Sequence, residues 1–145
     1  MGYRDMSRIA GLCLVLGACV RTSVSEEATS KAFKVVPIEG TDLSRIILTQ
    51  SAARRLDIQG ALVRAEPVHG KPRKVVPYAA VLYDKDGHTW VYTSPESLTF
   101  VRAPITVDYI EGELAVLSVG PPAGIKVVTV GATELYGCEE EFEEE

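Results

Sequence analysis

A chain of 145 residues, 46% hydrophobic and 24% charged, can bury one modest core, so a single domain at most is expected and a multidomain enzyme is set aside. Its formal charge is −5 at pH 7. Of its three cysteines, Cys13, Cys19 and Cys138, only the last lies outside the N-terminal segment, so no internal disulfide staples the body.

Residues 1–18 carry Arg4 and Arg8 and then the apolar run IAGLCLVLGA, the pattern of an export signal. That run has ten residues, whereas a helix crossing the hydrocarbon of a bilayer needs about 20. The Leu16-Gly17-Ala18-Cys19 sequence resembles a bacterial lipobox, in which a diacylated cysteine becomes the first residue of the mature protein. Cys19 is therefore the expected lipidation site. Cys13, preceded by the bulky Leu12, is a poor rival. Two or more acyl chains give stable anchoring, at roughly 0.8 kcal/mol per buried methylene. The expected location is the extracytoplasmic side of a membrane, in the periplasm or on the outer cell face. Residues 19–40, in which VRTSVSEEATSKAF follows Cys19, read as a flexible tether.

The body is expected over residues 41–137 as a mostly β domain, a small antiparallel barrel or sandwich with one or two short helices. RIILT (45–49) predicts a strand and QSAARRL (50–56) a short helix capped by Thr49 or Ser51. ALVRAEPV (61–68) returns to strand, with Pro67 marking an edge, and HGKPRK (69–74) reads as a basic turn. In VVPYAAVLYDKDGHTWVYT (75–93), two β-rich runs flank Asp84-Lys85-Asp86-Gly87, and an Asp-Gly pair between apolar runs signals a hairpin. Both faces of the first arm are apolar, so that arm is expected to be the buried one. Pro77 is expected to mark its entry. In the second arm His88, Trp90 and Tyr92 share one face. LTFVR, PITVDYI, ELAVLSV and IKVVTVG predict four further short strands. ATELYG then predicts one helical turn, and CEEEFEEE (138–145) reads as a solvated acidic tail.

From Cys19 onward there are 13 Lys and Arg against 19 Asp and Glu (15 − 2 and 20 − 1); six of those acids lie in the tail, which leaves the body neutral. A neutral body offers no footprint for nucleic acid.

No catalytic, cofactor or metal set is expected. His69 and His88 have no partner at metal-ligand spacing, and no nucleophile elbow, P-loop or dinucleotide fingerprint occurs. Asp84, Asp86 and Gly87 match part of a calcium loop, yet its later ligands and bidentate Glu are missing, so they read as a turn. Glu111 and Glu113 flank another turn. The carboxylates after Cys138 disfavour its thiolate. Tyr78, Tyr83, Trp90, Tyr92 and Phe100 are expected in the core or as cross-strand pairs and not as a ligand cage.

VVPYAAVLYDKDGHTWVYT followed by FVRAPITVDYIEGELAVLSVGPPAGIKVVTVGATEL resembles the C-terminal part of periplasmic adaptor subunits, or membrane-fusion proteins, of resistance-nodulation-division (RND) efflux pumps. IILTQSAARRLDIQGALVRAEPV resembles the adaptor segment before the first lipoyl half, so the likeness covers roughly residues 46–135. Where the family has Gly-Leu and then Gly-Asp, this chain has Val119-Gly120-Pro121-Pro122 and Gly124-Ile125. The lipoyl domain and long helical hairpin of full adaptors are missing between Val68 and Val75. The resemblance implies a truncated β-barrel and membrane-proximal module. Such a module is a non-enzymatic contact protein that docks on an RND-type membrane transporter through the hairpin and the 120–124 loop, alone or as a homo-oligomer. The alternative is a stand-alone envelope lipoprotein with a ligand-binding or structural role.

Overall fold

In the computed structural model, residues 31–143 are described; the expected signal segment, Cys19 and the first part of the tether lie outside them. Among the described residues the fold is mostly β, a curled antiparallel sheet of ten strands with two short helices, as expected. Strand β1 (Phe33–Pro37) pairs with β2 (Ser44–Leu48), and α1 (Gln50–Arg55) follows. The Thr49 hydroxyl accepts the Ala52 amide at 3.2 Å, which makes Thr49 the cap of that helix. Then come β3 (Gln59–Leu62), β4 (Arg64–Val68), β5 (Lys71–Pro77), a 3-10 turn (Tyr78–Ala80), β6 (Leu82–Tyr83) and β7 (Thr89–Glu96). The chain ends with β8 (Thr99–Glu111), β9 (Leu114–Val119), β10 (Lys126–Val130) and α2 (Ala132–Glu143).

The strand order is β3-β10-β7-β8-β9-β5-β4, with β2 added to β8 and β6 to β7. Its two ends, β3 and β4, are separated in sequence only by Val63. A path whose ends are consecutive in the chain must bend round on itself, and this curl makes the sheet a half-barrel.

Alternation along the strands then sets up two cores. Tyr92 of β7 and Val128 of β10 join Ile46, Leu48, Phe100, Ala132 and Leu135 in the first; Val91 and Val127, one residue earlier on each strand, join Val76, Ile105, Ala115 and Leu117 in the second. Because side chains alternate sides, β7 and β10 lie between the two cores and are buried on both faces.

Five expectations are corrected. The tether ends before residue 40, because Phe33–Pro37 is strand and its Val35 packs opposite Ile46 in the first core. The doubly buried arm of the hairpin is the second. The first arm shortens to Leu82–Tyr83, which pairs with Trp90 and Thr89, after a 3-10 turn, and Tyr83 is exposed. Pro77 accordingly ends β5 and does not open the arm. LTFVR and PITVDYI form one continuous strand across Pro104. That proline lies beyond the residues that pair with β2 (Thr99 to Val101) and before those that pair with β9 (Thr106 to Glu111), so neither strand needs an amide hydrogen there. Helix α2 runs through Cys138 and into the run expected as a solvated tail, because Ala132, Leu135 and Glu139 lie on one helical face turned to the sheet. Of the 69–74 segment expected as a basic turn, only His69 and Gly70 turn; Lys71 to Lys74 are the first half of β5, and Pro67 sits on the edge strand β4 as expected.

Candidate functional site

Two arrangements stand out, and the hairpin turn joins the first of them. Oδ1 of Asp84 accepts the amides of Asp86 (2.9 Å) and His88 (2.8 Å), while Oδ2 accepts the Trp90 indole N–H (2.9 Å) and lies 3.2 Å from His88 Nδ1. Partial burial raises the Asp84 pKa, but hydrogen bonds from Trp90, His88 and Asp86 outweigh it and hold the carboxyl at about 2. Its unfolded value is near 3.9. The ionised form therefore stabilises the fold above about pH 4, and that contribution is lost as pH falls from there towards 2. In urea titrations between pH 6 and pH 2 the wild-type chain should lose more stability than Asp84→Asn, so the two midpoints should converge at the acid end.

Trp90 in turn covers a charged network under α2. The Arg102 guanidinium lies 4.7 Å from the Trp90 ring centroid and 5.5 Å from that of Tyr136 on α2. Arg102 sits directly opposite Tyr92 in the β7–β8 ladder, so both side chains point to the α2 side. There Glu139, 1% exposed, accepts the Tyr92 hydroxyl at 2.5 Å and pairs with Arg102 Nε at 3.3 Å. Burial and the neighbouring carboxylate push the Tyr92 phenol far up, so it keeps its proton and donates it to Glu139. Burial, more than Glu141, raises the Cys138 thiol. The sequence pattern expected this direction and attributed it to charge alone.

The second arrangement is an open groove of about 660 Å³. Strands β7 and β10 pair at Val127 and Thr93, and beyond that point the β7 ladder shifts register between Thr93 and Glu96. Ser94 and Pro95 of β7 line the groove together with Ile125 and Lys126 at the start of β10. Pro104 forms part of the floor and Pro121–Pro122 a wall. The wall is pinned: Lys74 Nζ donates to the Gly120 carbonyl at 2.6 Å, Gly124 N–H to Val63 O at 2.8 Å, and Val63 N–H to Ile125 O at 2.8 Å. Gly124 has φ +91°, which an L side chain would resist. The loop singled out in the sequence thus borders a cavity.

The remaining sequence candidates are scattered. Phe100 is core, whereas Tyr78 and Tyr83 are 44% and 54% exposed, and Tyr83 stands opposite Thr89 in the β6–β7 ladder. His69, at φ 49°, occupies the β4–β5 turn, 6.2 Å from the Tyr109 ring. His88 is exposed, and although ligand atoms of Asp84, Asp86 and His88 lie within 4.8 Å of one another, the turn already engages both Asp84 oxygens. Among the described residues no helix is long and apolar enough to cross a membrane. Cys19 lies outside the described residues. Lys74, Lys126 and Glu139 were not singled out by sequence; only the last carried a signal, its 3.6-residue spacing from Ala132 and Leu135. Compared with protein-family models, curated proteins and solved structures, the chain matches none.

Proposed function

We propose that this chain is a lipid-anchored extracytoplasmic accessory protein of the adaptor type, acting by contact with a membrane transporter and catalysing no reaction. The observation that supports a contact role is the pinned 120–124 loop. A segment tied down at both ends by Lys74 and Val63 presents a preformed surface, and a preformed surface binds without first paying the entropy of ordering. The 84–87 turn is a second preformed apex, held by the bonds to Asp84. Acylation at Cys19 would keep both near the membrane. The resemblance to RND adaptors names the partner class.

Photocrosslinkers placed at Lys85 and Pro122, both exposed, test this in intact membranes. Recovery of a multi-spanning transporter from either position, and not from exposed Arg54 on α1, is expected. Recovery of no multi-spanning protein, or equal recovery from Arg54, overturns the proposal. The groove favours the second reading, a ligand-binding envelope lipoprotein with no transporter.

A further inference from the structure

We infer that the groove between β7 and β10 binds a fatty-acid-like amphiphile, with an apolar chain along Pro95, Pro104, Pro121 and Ile125 and a carboxylate against Lys126. The inference rests on the groove alone and holds with or without a transporter partner.

The lining dictates the ligand class. A ligand pocket typically spans 300–1,000 Å³ and is mostly apolar, with a few fixed polar groups that orient what binds. This groove has about 660 Å³, walls of proline, alanine and isoleucine, and a single ionisable side chain among the described residues that line it, Lys126. Both lining hydroxyls are engaged at home: Thr93 Oγ1 donates to Val101 O at 3.0 Å and Ser94 Oγ to Glu96 O at 3.1 Å. Neither competes for a polar ligand. An occupant therefore needs one negative charge and little other polarity.

Lys126 is also placed by the fold. It stands directly opposite Leu62 in the β10–β3 ladder, and its side chain lies across Gly60: a Cβ built on Gly60 would come 2.9 Å from Lys126 Cε and 3.3 Å from Cγ. The missing side chain at Gly60 is the space that the lysine stem occupies. A stem resting on backbone loses less freedom on binding than one swinging in solvent, and Lys126 lines both this groove and the neighbouring hollow beside Gly60 and Phe100, so its ammonium is within reach of a carboxylate in the groove. Rigidity elsewhere acts in the same direction, because the proline walls and the bonds from Lys74 and Val63 leave the groove little to reorganise. A multiply charged or zwitterionic ligand would leave charge unpaired against the apolar walls, at a desolvation cost.

The test uses the body from Lys31 onward, one compact unit that carries both cores, and titrates it with dodecanoate below its micelle concentration. Calorimetry should give saturable one-to-one binding with a dissociation constant on the order of 100 µM. Amide shift changes should centre on Ser94, Ile125 and Lys126. Dodecyltrimethylammonium, with the same chain and opposite charge, should bind at least about tenfold more weakly. Lys126→Glu should lose about tenfold for dodecanoate, whereas Ile125→Asn should weaken both amphiphiles. Both positions are exposed, so both variants should keep the wild-type melting temperature. Three results would each overturn the assignment: no saturable dodecanoate binding, equal affinity for the two head groups, or an undiminished affinity in Lys126→Glu.

Discussion

Replacing Glu139 with alanine should cost about 3 kcal/mol of stability, read as a fall of roughly 10 °C in melting temperature. Arg102 is 11% exposed at its side chain, and the variant leaves its cation under α2 without the carboxylate that balances it. Removing one partner of a buried pair is costly for that reason, since the remaining charge keeps its desolvation penalty and loses its attraction. The Tyr92 hydroxyl loses its acceptor as well. Glu141→Ala, two positions away and exposed, should change stability by less than about 0.5 kcal/mol. Thermal unfolding followed by far-UV circular dichroism separates the two cases. The contrast tests the helix directly, because a solvated tail would give the same small change at both positions.

Leu117→Ala should be comparably severe, at about 2–5 kcal/mol, since Leu117 is 2% exposed in the second core and its removal leaves a cavity among Val76, Ile105 and Val127. The more telling readout is cooperativity. Trp90 is the only tryptophan of the chain and sits on the opposite side, under α2, where it reports on the first core. Strands β7 and β10 belong to both cores, so loss of the second should carry the first with it. Trp90 fluorescence and far-UV signal should therefore shift together to one lower urea midpoint. Two separated midpoints would show that the halves melt independently.

Much of this fold was legible where a local rule speaks alone. The Asp84-Lys85-Asp86-Gly87 turn, the Thr49 cap and the strand character of PITVDYI each follow from backbone chemistry within a few residues, and each appears in the structure. The misreadings arise where a distant partner overrides the local signal. Pro104 looks like a break until the spans of β2 and β9 are known. Glu139 differs in sequence from Glu140 and Glu141 only by its helical spacing from Ala132 and Leu135, and the arrival of Tyr92 and Arg102 from β7 and β8 makes it an interior residue. The same limit applies to the groove. Its loop was visible as a run of Gly and Pro, but the lysine that faces it is defined by a glycine 66 positions earlier (126 − 60).

The two-residue turn between β4 and β5 has an architectural consequence. His69 and Gly70, both at positive φ, close a hairpin at the margin of the sheet, and neither belongs to a core. Adjacent antiparallel strands leave their chain ends only about 5 Å apart. A guest module with similarly close termini can be spliced at this point while β4 and β5 stay in register. The half-barrel is thus a chassis with a ready coupling port, and the reach of the whole is set by whatever the port carries.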